Sequence, residues 1–171
     1  MFSHTFNSSY DGKRVCFMHP SYPEFVLYPN ITLEMTYVSG FGGSNQLAVH
    51  TSRIAHLQGK GLKEGDIAKF VPVGSSCDYV ATEFVMRSNG AVKLEGFDTL
   101  GNYSLCYRFS ESAPSFIAYP HIILEVVEPY VSAVTPNYAM VGKTQELQFI
   151  GTGISESDVV KFITSDKDCN S

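Results

Sequence analysis

Apolar and polar positions alternate with a period of two along much of this chain. In NYSLCYRF (102–109), Tyr103, Leu105, Tyr107 and Phe109 fall on one side. Asn102, Ser104, Cys106 and Arg108 fall on the other, which is the period of a strand with one buried face. EFVMRS (83–88), AVKLEGF (91–97), HIILEVVE (121–128), ELQFIG (146–151) and DVVKFIT (158–164) are short and rich in β-branched or aromatic residues. Gly, Asn, Pro or Ser bounds them, as expected of strands. Asn89-Gly90, between the first two, reads as a hairpin turn, because this pair tolerates positive φ cheaply. Pro29 and Pro120 stand where a proline opens a strand. No twelve-residue segment keeps a capped helical period, so the expectation is an all-β chain.

The pattern also repeats. Gly59–Cys77, GKGLKEGDIAKFVPVGSSC, matches Gly151–Cys169, GTGISESDVVKFITSDKDC, at an offset of 92 with 7 of 19 positions identical. Phe25–Met35, FVLYPNITLEM, matches Phe116–Val126, FIAYPHIILEV, at an offset of 91 with 6 of 11 identical. RVCFMH around Cys16 matches SLCYRF around Cys106 at an offset of 90. Three matches in one order predict a repeat of about 91 residues, entered in mid-unit. Residues 1–35 would then be the C-terminal half of one unit, 36–127 a complete unit, and 128–171 the N-terminal half of another. In that register Met1 is not expected to be a biological start.

About seven short strands in about 91 residues is the pattern of an immunoglobulin-like β-sandwich. DTLGNYSLCY (98–107) resembles the tyrosine corner of such sandwiches, although Tyr103 precedes Cys106 by three residues and not two. The chain has no Trp, so the buried core Trp of antibody domains is missing. VEPYVSAVTPNYAMVGKTQELQFIGTGI (127–154) is similar to the opening of the IPT or TIG domains, the immunoglobulin-like domains shared by plexins and some transcription factors. It shares with them a strand ending in a Thr-Pro turn, a Gly step, and an apolar strand closing on Gly-x-Gly. The middle unit departs there, with VSGFGGSNQ and no Thr-Pro, so an irregular first edge is expected. The resemblance implies modular extracellular or accessory domains without catalysis of their own.

Repeat register makes the four cysteines two kinds. Cys77 and Cys169 are equivalent, as are Cys16 and Cys106. The economical pairing is Cys77–Cys106 inside the complete unit, with Cys169 paired to a Cys16-type residue in this chain or a neighbouring copy. Free thiols in a cytosolic protein are the competing reading. Because Cys106 lies opposite Tyr103, Leu105 and Tyr107, a bridge there would clip the sheet from outside. Asn7, Asn30 and Asn102 open N-glycosylation sequons. Cysteine register and sequons together point to an oxidising secretory route and an extracellular or cell-surface location.

Composition narrows the function classes. A net charge of −5 with 12 basic residues offers no stripe for nucleic acid. No apolar run is long enough to span a membrane. No nucleophile elbow or phosphate loop occurs, so no catalytic residue, cofactor or enzymatic activity is expected. His4, His19, His50, His56 and His121 form no metal-binding pair. Glu64, Asp66, Glu156 and Asp158 could border a calcium site between repeats, but Gly-x-Gly leading to Asp more simply makes a turn onto a strand, so no metal is expected. Tyr28, Tyr119, Phe25 and Phe116 are expected to fill the core. The expected function is a non-catalytic structural or adhesive segment of an extracellular stalk, surface coat or filament, partnered by neighbouring copies or flanking repeats and carrying glycans on Asn. The alternatives are a receptor ectodomain binding a protein ligand, and a carbohydrate-binding accessory domain of a secreted enzyme.

Overall fold

The structure is a computed structural model that describes residues 8–21, 23–110, 115–154 and 158–169. Within them lie twelve strands: β1 (Lys13–Phe17), β2 (Val26–Leu33), β3 (Tyr37–Phe41), β4 (Gln46–Ala48), β5 (Arg53–Lys60), β6 (Ile67–Pro72), β7 (Glu83–Val85), β8 (Ala91–Leu94), β9 (Gly101–Arg108), β10 (Ile117–Val127), β11 (Tyr130–Thr135) and β12 (Gln148–Thr152). The all-β expectation holds, and no α-helix occurs among the described residues.

Eight strands make a two-sheet sandwich. One sheet has the order β3-β5-β8 and the other β4-β10-β9-β6-β7. Every pairing is antiparallel except β4 with β10. Alternation decides what goes inside. Val38, Ala55, Leu57, Val92 and Leu94 from the first sheet meet Leu47, Phe70, Leu105, Tyr107, Leu124 and Val126 from the second in one core. Phe84 and Phe97 stack within it, and the partly buried Phe41 stacks on Phe70. Full burial of such a side chain stabilises by about 1.5–3 kcal/mol.

Asn89-Gly90 takes the positive φ its composition suggests, 61° and 73°, yet it does not make a hairpin. The strand before it pairs with β6 and the strand after it with β5, so the turn carries the chain from one sheet to the other. Core burial chose between these outcomes: Met86 and Val92 each need the interior. Pro120 likewise lies inside β10, in a register shift between Tyr119 and Ile123. A bulge tolerates the missing amide as well as a strand opening does.

The remaining strands form two isolated pairs, β1 with β2 and β11 with β12. Each repeats a ladder of the sandwich, pair for pair. Val15↔Tyr28, Cys16↔Leu27 and Phe17↔Val26 correspond to Leu105↔Tyr119, Cys106↔Ala118 and Tyr107↔Ile117 at offsets of 90 and 91, with the register shift at the same step. Tyr130↔Thr152, Val131↔Gly151 and Ala133↔Ile150 correspond to Tyr37↔Lys60, Val38↔Gly59 and Gly40↔Gln58, again with the same shift. Close approach recurs too. A Cβ on Gly59 would strike the Tyr37 carbonyl, and one on Gly151 would strike that of Tyr130.

Residues 158–164, expected as a strand, carry no strand assignment. In the sandwich the matching β6 sits between β9 and β7. Among the described residues no strand pairs with this segment, and periodicity alone does not hold a strand extended.

Candidate functional site

Cys77 and Cys106 are joined in a disulfide, with Cα atoms 5.7 Å apart. As expected, Cys106 stands on the outer face of β9, opposite the core residues Leu105 and Tyr107. The loop bearing Cys77 comes down onto that face, and Cys106 is buried. Its ladder neighbour Lys69 is also buried, with Nζ 4.3 Å from the centre of the Phe116 ring, and the Arg108 guanidinium stands 4.8 Å from the same ring. Phe116 therefore belongs to this outer face and not to the core. Tyr119 packs against the core from its edge. Phe25 and Tyr28, the matching aromatics on the β1–β2 pair, are exposed. The core expectation fails for them because β1–β2 has no second sheet across its face among the described residues.

Cys16 and Cys169 are free and exposed, so within this chain the second bridge is not made. Asn30 and Asn102 are exposed on strands β2 and β9, where a sugar can project. Asn7 lies outside the described residues.

Asp66 is 1% exposed, and its acceptors are occupied. Oδ1 takes hydrogen bonds from the Ser110 amide and hydroxyl at 2.8 and 2.9 Å. Oδ2 takes them from the Lys63 amide at 2.9 Å and the Tyr107 hydroxyl at 2.7 Å. Burial pushes this carboxyl upward, but the donors from Ser110, Lys63 and Tyr107 outweigh it and hold it below its ordinary range. Burial, followed by the bond to the Asp66 carboxylate, drives the Tyr107 phenol well above its own. Asp66 is thus a structural acceptor, with both carboxylate oxygens taken by protein donors. Asp158, its repeat counterpart, is exposed, and Glu156 lies outside the described residues. Among the described residues no three His, Cys, Asp or Glu side chains converge as a metal cluster.

The described histidines do not converge either. His50 Nδ1 lies 3.1 Å from Asp98 Oδ1 on the surface, His19 accepts from the Ser21 amide, and the His121 ring stands 6.2 Å from that of Tyr119. His56 is exposed on β5, and His4 lies outside the described residues. Tyr103 donates to the Thr99 carbonyl at 2.8 Å, so the corner suggested by the Asp-Gly-Tyr spacing is present.

Sequence reasoning missed two features. The Asp66–Tyr107–Ser110 cluster was hidden because its members lie 41 and 44 residues apart. The other is the recurrence of Tyr-Val-Ser at 37–39 and 130–132, a signal that the sequence itself carries. No helix among the described residues is long and apolar enough to cross a membrane. No family model, curated protein or solved structure matches the chain.

Proposed function

We propose that this chain is a run of immunoglobulin-like sandwich repeats of the IPT/TIG type, with a period of about 91 residues. Its units are 36–127 whole, 1–35 as a C-terminal half and 128–171 as an N-terminal half. Its work is structural or adhesive and non-catalytic, in an extracellular stalk, coat or filament. One observation carries the reading: both outer strand pairs reproduce sandwich ladders residue by residue, bulges included. The sheet orders β3-β5-β8 and β4-β10-β9-β6-β7 and the Tyr103 corner bond agree with such a sandwich. The Cys77–Cys106 bridge and the exposed Asn30 and Asn102 agree with an oxidising secretory setting.

A tandem fusion of two copies of the chain tests it by amide hydrogen exchange. At the fusion joint, residues 128–171 of the first copy and 1–35 of the second, together about 12 residues short of one 91-residue unit, should gain protection over the same residues in a single copy. A joint that exchanges as fast as the two ends do in a single copy overturns the repeat reading. Secretion behind a cleavable leader from eukaryotic cells should add sugar at Asn30 and Asn102, removable by an amidase.

A further inference from the structure

We propose that residues 158–169 of one copy of this chain add as a strand along the open edge of β1 in a second copy, and that a Cys169–Cys16 disulfide closes the joint. The proposal rests on the repeat reading and names the partner and the covalent bond.

The sandwich supplies the template. There β9 has β10 on one side and β6 on the other, and its Cys106 is bonded to Cys77, which follows β6. The counterpart of β9 is β1, which has only β2 beside it among the described strands. The counterpart of β6 is 159–164. Phe70↔Leu105, Lys69↔Cys106 and Ala68↔Tyr107 in the sandwich translate to Phe162 opposite Val15, Lys161 opposite Cys16 and Val160 opposite Phe17. The same shifts turn Cys77 and Cys106 into Cys169 and Cys16, the two free and exposed cysteines. Phe162 is 76% exposed, whereas its counterpart Phe70 is 2% exposed at the centre of the core. Lys13 and Arg14 on β1 would lie beside the end of the added segment that bears Asp166 and Asp168.

The partner is a second copy because of where the two half-units stand. Completion needs β1–β2 to face β11–β12. Asp11, before β1, binds Lys60 Nζ at 2.8 Å and the Met35 amide at 3.0 Å, which ties β1–β2 to the Lys60 end of β5. The other pair abuts the Arg53 end. Tyr130 donates to Gln46 at 3.2 Å, a Cβ on Gly153 would strike the Ala48 side chain, and Arg53 donates to the Gln46 and Ser44 carbonyls. Those ends are roughly 23 Å apart at about 3.3 Å per strand residue. With the two pairs at opposite ends of one unit, β1–β2 of one copy meets β11–β12 of another head to tail, a heterologous contact that propagates as a chain.

Closing the bridge requires a two-electron acceptor, here a small disulfide such as oxidised glutathione. The Cys16 thiolate attacks it, releasing one glutathione and leaving a mixed disulfide. The Cys169 thiolate then attacks the Cys16 sulfur and releases the second. Two thiol protons and two electrons leave the protein and reduce one glutathione disulfide to two thiols.

The test mixes full-length C16S and C169S in oxidised glutathione. Each keeps one of the two cysteines, and the intact Cys77–Cys106 peptide reports folding. The expected product is a 1:1 heterodimer linked Cys16–Cys169, identified by non-reducing peptide mass spectrometry, which neither variant forms alone. Adding F162D to the C16S partner should cut the linked fraction roughly tenfold, the equivalent of one buried aromatic. Monomers only, or homodimers in equal yield, overturn the proposal. If separate chains fail to link while the tandem fusion forms Cys169–Cys16 at its joint, assembly in trans is wrong and the repeat reading stands. If the fusion fails as well, both fall.

Discussion

Tyr107 Oη lies 2.7 Å from Asp66 Oδ2, joining the C-terminal end of β9 to the turn before β6 across 41 residues of sequence. The bond is buried and one partner is ionised, so its loss leaves a lone pair of a buried charge unsatisfied. Hydrogen bonds to charged groups contribute about 1.5–3 kcal/mol. Tyr107→Phe should lower the stability of the sandwich by about that amount, measured as a shift of the urea midpoint at neutral pH.

The same carboxylate sets an acid limit. Its pKa in the folded chain is below the ordinary value, so the unfolded chain takes up a proton first as pH falls. The stabilisation is therefore complete above the unfolded carboxyl pKa of about 3.9 and disappears as pH drops through the lower folded value. Urea midpoints recorded between neutral pH and pH 2 should fall less steeply for Asp66→Asn than for the native chain. Parallel acid profiles for the two would contradict this assignment.

The Cys77–Cys106 bridge closes a separation of 29 residues. In the chain-entropy model that is worth about 3–4 kcal/mol. The double substitution Cys77→Ala/Cys106→Ala should lower the sandwich by that amount and make its urea midpoint indifferent to reductant.

Gly59 and Gly151 each pass close to a neighbouring carbonyl. Alanine at either site forces the two strands apart, a cost on the order of 1–3 kcal/mol. Gly59→Ala should lower the main unfolding transition. Gly151→Ala should leave that transition in place and raise amide exchange in β11 and β12 alone. Equal effects on the main transition would mean that the outer pair unfolds together with the sandwich.

Tyr103→Phe removes the 2.8 Å bond to the Thr99 carbonyl. The carbonyl is near the surface and regains water, so a loss of about 1 kcal/mol is expected by thermal or urea unfolding.

Much of this was legible beforehand because it depends on neighbours along the chain. Two-residue alternation put Leu105 and Tyr107 inside and Cys106 outside. Repeat register paired Cys77 with Cys106. Positive φ at Asn89-Gly90 followed from residue type.

Other features needed the third dimension. Periodicity marked 158–164 as a strand, but a strand is held by the ladder beside it, and no described strand pairs with this segment. The Asn-Gly turn had the right torsions and the wrong destination, since burial of Met86 and Val92 sends the following strand to the opposite sheet. Phe116 and Phe25 are equally apolar in sequence, yet one covers a buried Lys69 and the other stands exposed. Side-chain type and spacing set which way each residue of a strand points. What stands opposite it, and so whether it is buried, bonded or left open, comes from segments dozens of residues away, and only the assembled sheets bring those into reach.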